Sequence, residues 1–163
     1  MRIAFLSCDD LTGFVSDDHL LVKELTEAGH SVQTLSWSTP TDWRQFDRAV
    51  LRTTWDYTKR VPLFLQTLRQ IEASQVRLDN PLSVVEWNIH KRYLKELESK
   101  GVEIVPTHLF TGTPACPTDW GVEKFVVKPA IAAGGFENRV LTRLELPEFK
   151  TPRDETWLLQ PFL

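Results

Sequence analysis

The chain opens on Arg2-Ile3-Ala4-Phe5-Leu6-Ser7, four apolar residues in succession between polar ends. An unbroken apolar run of that length predicts a buried strand. A polar loop through Asp9, Asp10 and Gly13 follows, and Ser16 is expected to cap a helix with Asp17 and Asp18 in its first turn. Carboxylates there favour the positive end of the helix dipole. Leu20, Leu21, Leu25 and Ala28 supply the helical stripe, and Gly29 fits the position just past the end. Ser31 to Trp37 alternates as a second strand, and Asp47 to Thr53 carries the apolar centre Ala49-Val50-Leu51 of a third. Pro62 to Ala73 is predicted helical, with Pro near the first turn and Leu65, Leu68 and Ile71 on one face. Val76 to Leu78 is a short fourth strand, stopped by Asn80-Pro81. Strands alternating with helices in this order predict an open parallel sheet with covering helices.

Beyond Asn80-Pro81 the pattern changes, which places a boundary between a lobe at 1–81 and a second region at 82–163. Leu82 to Asn88 and Ile89 to Lys100 read as two helical pieces, closed by Gly101. Val102 to Leu109 is extended and interrupted at Pro106. Residues 111–119 form a loop with Pro114 and Pro117. Lys124-Phe125-Val126-Val127-Lys128 alternates as a strand, Ala130 to Gly135 is small and flexible, and Asn138 to Leu144 and Trp157 to Phe162 are further strands. No internal repeat or low-complexity tract is present.

Composition narrows the function classes. Hydrophobic residues make up 42% of the 163, enough for a real core, and the net charge is -3. That balance, with no Lys/Arg cluster, argues against a nucleic-acid partner. No apolar run is long enough to span a bilayer, so no membrane partner is expected. The two cysteines, Cys8 and Cys116, and the four histidines show no metal-ligand spacing. They read as reduced thiols and isolated imidazoles of a cytoplasmic protein. There is no Walker A loop, no G-x-G-x-x-G after the first strand, no H-E-x-x-H and no G-x-S-x-G.

Three features stand out from that background. Lys91 lies near the start of a predicted amphipathic helix, and Lys128 ends an apolar strand and is fixed by Pro129. Two ammonium groups converging in a crevice neutralise a polyphosphate, whereas each lysine alone is ordinarily just solvated. Ala132-Ala133-Gly134-Gly135 follows, and small side chains let backbone N–H groups approach phosphate oxygens. For Gly-Gly by itself an ordinary hairpin turn is the favoured account, and its place shortly after Lys128 is what singles it out. Arg52-Thr53-Thr54-Trp55-Asp56-Tyr57 sits at the carboxyl end of the third strand, where open α/β sheets bind ligands. Arg52, Trp55, Asp56 and Tyr57 suit a small zwitterion or a phosphate. The alternative is a structural turn in which Asp56 pairs with Arg52.

Taken in order, "RTTWDY" (52–57), "NP" (80–81), "VVEWNIHKRYLKELESKGVEIVPT" (84–107), "FVVKPAIAAGG" (125–135) and "LLQPFL" (158–163) resemble a group of ATP-grasp proteins. That group includes glutathione-synthetase-like enzymes and a ligase that forms D-cycloserine. The resemblance implies a pre-ATP-grasp open parallel-sheet lobe followed by the first, small subdomain of an ATP-grasp domain. It implies ATP and Mg²⁺ as cofactors and a small carboxylate, activated as an acyl phosphate for attack by an amine or similar nucleophile. It gives Lys91 and Lys128 the phosphates, Gly134 and Gly135 the closing loop, and Gln160, Phe162 and Leu163 the adenine edge. Relatives often carry serine in that loop where this chain has Ala132 and Ala133. The metal ligands of such proteins come later than Leu163, so the expectation is a truncated portion, inactive alone. A terminal strand from Trp157 to Leu163 lacking its neighbour would invite self-association. A non-catalytic nucleotide-binding or interaction module of the same fold is the alternative. Asp9, Asp10 and Asp18 either line a site or solvate loops.

Overall fold

The computed structural model describes residues 1–152 and 154–163. It divides into two compact units, Met1–Glu86 and Trp87–Leu163.

The first unit is built on four strands, β1 (Arg2–Ser7), β2 (Ser31–Ser36), β3 (Arg48–Thr53) and β4 (Arg77–Asp79). They form a wholly parallel sheet in the order β2-β1-β3-β4. The apolar run of β1 is buried because it pairs on both sides, Phe5 aligning with Thr34 on one and Val50 on the other. Helix α1 (Asp18–Glu27) lies against β2, and α2 (Val61–Ala73) lies against β4. Gly29 ends α1 at φ +81°, a left-handed conformation that glycine adopts without a Cβ penalty. The expected cap is displaced by one residue. Asp17 is the N-cap and makes no side-chain cap bond, while Ser16 Oγ accepts from the Asp18 N–H (3.2 Å). The core face of α2 also differs, since Phe64, Thr67, Leu68 and Ile71 are its buried residues and Leu65 is only half-buried. Phe64 wins because its ring packs against both Trp37 and Tyr57.

In the second unit, α3 (Leu82–Asn88) enters across the division and α4 (Tyr93–Ser99) follows. The helix predicted from Ile89 begins only at Tyr93, and residues 89–92 form a bend and turn. There the N–H of Lys91 donates to Ala130 O (2.8 Å), a long-range bond in place of an intrahelical one. Strands β5 (His108–Phe110), β6 (Lys124–Pro129), β7 (Arg139–Thr142) and β8 (Trp157–Pro161) make an antiparallel sheet in the order β5-β8-β6-β7. Phe125, Val127, Trp157 and Leu159 point to one face and pack with Leu146 and Phe149.

The terminal strand is therefore not an exposed edge. β8 inserts between β5 and β6, pairing with both, and all five of its residues are buried. Both of its faces need cover, Trp157 and Leu159 on one and Leu158 and Gln160 on the other, which suits a central position. The edges are β5 and β7, and the ground for self-association through the chain terminus falls away.

Candidate functional site

Strand β6 alternates core and outward residues, and Lys128 is an outward one, level with Leu158 of β8. Its side chain is half-buried there, and among the described residues it makes no hydrogen bond or ion pair. Lys91 reaches the end of the same strand from the turn before α4. Its Nζ donates to Ala132 O (3.0 Å), with longer contacts to Pro129 O (3.4 Å) and Ala130 O (3.5 Å). No carboxylate among the described residues pairs with either lysine. Burial, and then the charge of Lys128, hold the Lys91 ammonium below its ordinary pKa. Burial does the same to Lys128. Both shifts report positive charge kept partly out of water without a counter-ion.

Between β6 and β7, residues 130–138 form the connecting loop. Gly134 and Gly135 adopt φ +62° and +75°, and Glu137 also has positive φ. A Cβ on Gly134 would meet nothing within 4 Å, so its backbone conformation, not crowding, calls for glycine there. Phe136 is 62% exposed at the tip. The loop is both a hairpin connection and a small-residue segment two residues after Lys128.

At the end of β8, Gln160 is 8% exposed, and its Nε2 donates to Thr107 Oγ1 (2.7 Å). The Phe162 N–H donates to Lys124 O (3.0 Å), and Phe162 and Leu163 are exposed. Thr107, 2% exposed, went unnoticed in the sequence. A threonine after Pro106 carries no signal that it will meet Gln160.

The third group lies in the first unit. Arg52 is bound to Asp18, Nε at 2.7 Å and Nη2 at 2.5 Å from the same carboxylate oxygen. Asp56 does not pair with Arg52. Its carboxylate accepts from Trp37 Nε1 (2.6 Å) and Arg60 Nη2 (3.0 Å). Arg60 also donates to Asp9 (3.0 Å) and lies over the Trp37 ring at 4.7 Å. Asp9 further accepts from the hydroxyls of Ser36 and Ser38, and these bonds with Arg60 hold its carboxyl below the usual range. Trp55 packs on Phe14, and Tyr57 stacks on Phe64. Arg60 was missed in the sequence, although its spacing of four from Asp56 on a helical turn is the signal that would have found it.

Among the described residues no group of three or more His, Cys, Asp or Glu could hold a metal ion, and no helix is long and apolar enough to cross a membrane.

Comparisons with known proteins bear on the fold and the resemblance. Residues 3–80 match the family model of the D-cycloserine synthetase DcsG N-terminal domain. The cycloserine biosynthesis protein DcsG of Streptomyces lavendulae is 31% identical over 88 residues, which are 53% of this chain and 29% of that protein. The crystal structure of D-cycloserine synthetase DcsG superposes over 100% of this chain and 60% of its own, with a TM-score of 0.80 and 21% identity. The ATP-grasp RimK domain protein of Sphaerobacter thermophilus covers 100% of this chain and 64% of its own, at TM-score 0.70 and 17% identity. D-alanine–D-alanine ligase of Bacillus anthracis, solved with ATP, covers 100% and 59%, at 0.60 and 15%. At such identities the structural likeness is one of fold. The resemblance read from the sequence stands, and along its whole length the chain has a fold found within ATP-grasp ligases. It spans about 60% of the solved D-cycloserine synthetase.

Proposed function

We propose that this chain carries the phosphate-gripping portion of an ATP-dependent ligase that joins a small carboxylate to an amine or similar nucleophile. The observation that carries the reading is the pair Lys91 and Lys128, both half-buried and neither matched by a carboxylate among the described residues. A half-buried charge without a partner costs stability. A polyphosphate offsets that cost, because it brings the anions the two ammonium groups lack. Donors for an anion are present, and the loop at Gly134 and Gly135 offers backbone N–H groups unshielded by side chains. Bound ATP would supply the phosphoryl group that activates the carboxylate, held by Lys91, Lys128 and the loop at Gly134 and Gly135, and Mg²⁺ would offset part of the phosphate charge.

In this reading Lys91 and Lys128 offset the repulsion between the polyphosphate and the incoming carboxylate. Gly134 and Gly135 approach the phosphates, and the end of β8, at Gln160, Phe162 and Leu163, borders the adenine. Thr107 fixes the Gln160 amide. The carboxyl edge of the first sheet is the place for the small carboxylate, with Trp55 and Tyr57 giving apolar area. Arg52 and Asp56 are held there by Asp18, Trp37 and Arg60. The chain is read as acting within the cytoplasm.

Calorimetric titration of Mg·ATP into the chain and into Lys91→Ala and Lys128→Ala tests the grip. Each substitution is expected to weaken binding by about tenfold to a hundredfold, as for loss of one charge-assisted contact. Unchanged affinity in both variants would sink the assignment.

A further inference from the structure

Lys91 does something the phosphate reading does not require. Its backbone N–H donates to Ala130 O at 2.8 Å, and its Nζ contacts the carbonyls of Ala132, Ala130 and Pro129. An ammonium has three donors and no acceptor. All three contacts are spent on one stretch of backbone, residues 129–132, which is the root of the 130–138 loop. The rest of that loop is lightly held. Its own bonds are two turns, Phe136 N to Ala133 O (3.2 Å) and Asn138 N to Gly135 O (3.1 Å). Gly134, Gly135 and Glu137 sit at positive φ, and residues 134–140 are exposed. Among the described residues, Lys91 is the one side chain from outside the loop that bonds to it.

We propose that Lys91 is a positioning residue for the 130–138 loop, fastening its root and relaying anion occupancy to it. Of its three carbonyl contacts, those at 3.4 and 3.5 Å are at the limit of hydrogen bonding, whereas the 3.0 Å bond to Ala132 is a full one. An anion beside Lys128 takes the donors from the two long contacts and leaves the bond to Ala132. One ammonium then joins the anion to the loop, and the loop tightens when the anion is present. Only this relay rests on the proposed phosphate grip; the anchor stands on the carbonyl contacts alone.

Amide hydrogen exchange, followed by mass spectrometry on the chain free of nucleotide, tests the anchor. Lys91→Met keeps the apolar stem and removes the donors. It is expected to speed exchange across 130–138 by about tenfold, the factor set by one net hydrogen bond of this strength. Lys91→Arg restores most of the protection. Lys128→Met, which removes another half-buried charge, one without carbonyl contacts among the described residues, leaves the loop unchanged. Loop exchange in Lys91→Met within about twofold of the parent, with β6 and β8 still protected, would overturn the anchor, as would equal acceleration in Lys128→Met. If Lys91→Met does not fold, the unmutated chain decides by NMR of ¹⁵N-lysine. An ammonium cross-peak for Lys91 near neutral pH supports carbonyl anchoring, and its loss to solvent exchange overturns it. Sodium tripolyphosphate tests the relay. It is expected to slow loop exchange in the parent chain and not in Lys91→Met. No slowing in the parent, or equal slowing in both, overturns the relay and leaves the anchor in place. Failure of the phosphate grip is read separately, from Mg·ATP affinity in Lys128→Ala.

Discussion

The two candidate regions treat their charged side chains in opposite ways. At the carboxyl edge of the first sheet every prominent charge is matched: Arg52 by Asp18, Arg60 by Asp9 and Asp56, and Asp56 also by the Trp37 indole. In the second unit, among the described residues, Lys91 bonds only to backbone carbonyls and Lys128 makes no ion pair. Matched groups of this kind hold one another in place, so a ligand there meets fixed partners and the apolar area of Trp55 and Tyr57. Unmatched groups weigh on the fold and leave their interaction free. Both regions offer candidate residue types in the sequence, and the difference lies in what surrounds them.

Breaking a matched group should give the largest effect. Asp56→Ala leaves Trp37 Nε1 and one Arg60 donor without their acceptor, and Trp37 is 0% exposed. A buried donor so orphaned costs about 1–3 kcal/mol. We expect urea unfolding, followed by circular dichroism, to show the chain about 2 kcal/mol less stable. A change below about 0.5 kcal/mol would mean that water replaces the carboxylate freely and that the matching adds nothing to the fold.

The unmatched side should respond with the opposite sign. Lys128→Met removes a half-buried ammonium and keeps a straight apolar side chain beside Leu158. The variant is expected to be as stable as the parent or up to about 1 kcal/mol more stable, while Mg·ATP binding weakens. Destabilisation on the scale of Asp56→Ala would show that Lys128 has a structural role, and the contrast between the regions would collapse.

How far this contrast could be seen in the sequence depends on the range of the interactions involved. The first sheet was legible because Ile3 to Leu6 and Ala49 to Leu51 are apolar runs that only a paired strand can bury. Lys128 was legible for the same reason, as the polar end of an alternating strand. Lys91 was placed one step wrongly: helical periodicity reads straight through Ile89 to Arg92, but the chain turns there so that Lys91 can bond Ala130, 39 residues away. β8 was misjudged because edge and centre depend on partners, and the partner β5 is some fifty residues earlier. Trp157-Leu158-Leu159 held the clue, since three large apolar residues in a row ask for cover on both faces. Arg60 was hidden by the ordinariness of one arginine on a helical turn.

The smallest effect, and the one that best isolates charge from packing, is the pH dependence of the gap between the parent chain and Lys128→Met. Burial lowers the Lys128 pKa in the folded chain below its ordinary 10.5. Between those two values the unfolded chain binds more protons than the folded one, so the parent gains stability as pH rises. Below both values the penalty is fully present. The methionine variant has no such group, so its advantage should be widest near neutrality and close toward pH 10.5, by a few tenths of a kcal/mol given the partial exposure of the side chain. Asp9 shifts in the same pH sense for the opposite reason, since its charged form is the one the fold favours. Its lowered pKa contributes stability above its ordinary 3.8, which is lost as pH falls through the folded value. Acid titration therefore reports on the matched region and alkaline titration on the unmatched one. A gap that stays constant with pH would assign the effect of methionine to packing. Added tripolyphosphate sharpens the result further: an anion beside Lys128 raises its pKa, so the gap should close near neutrality in the very way that alkali closes it without the anion.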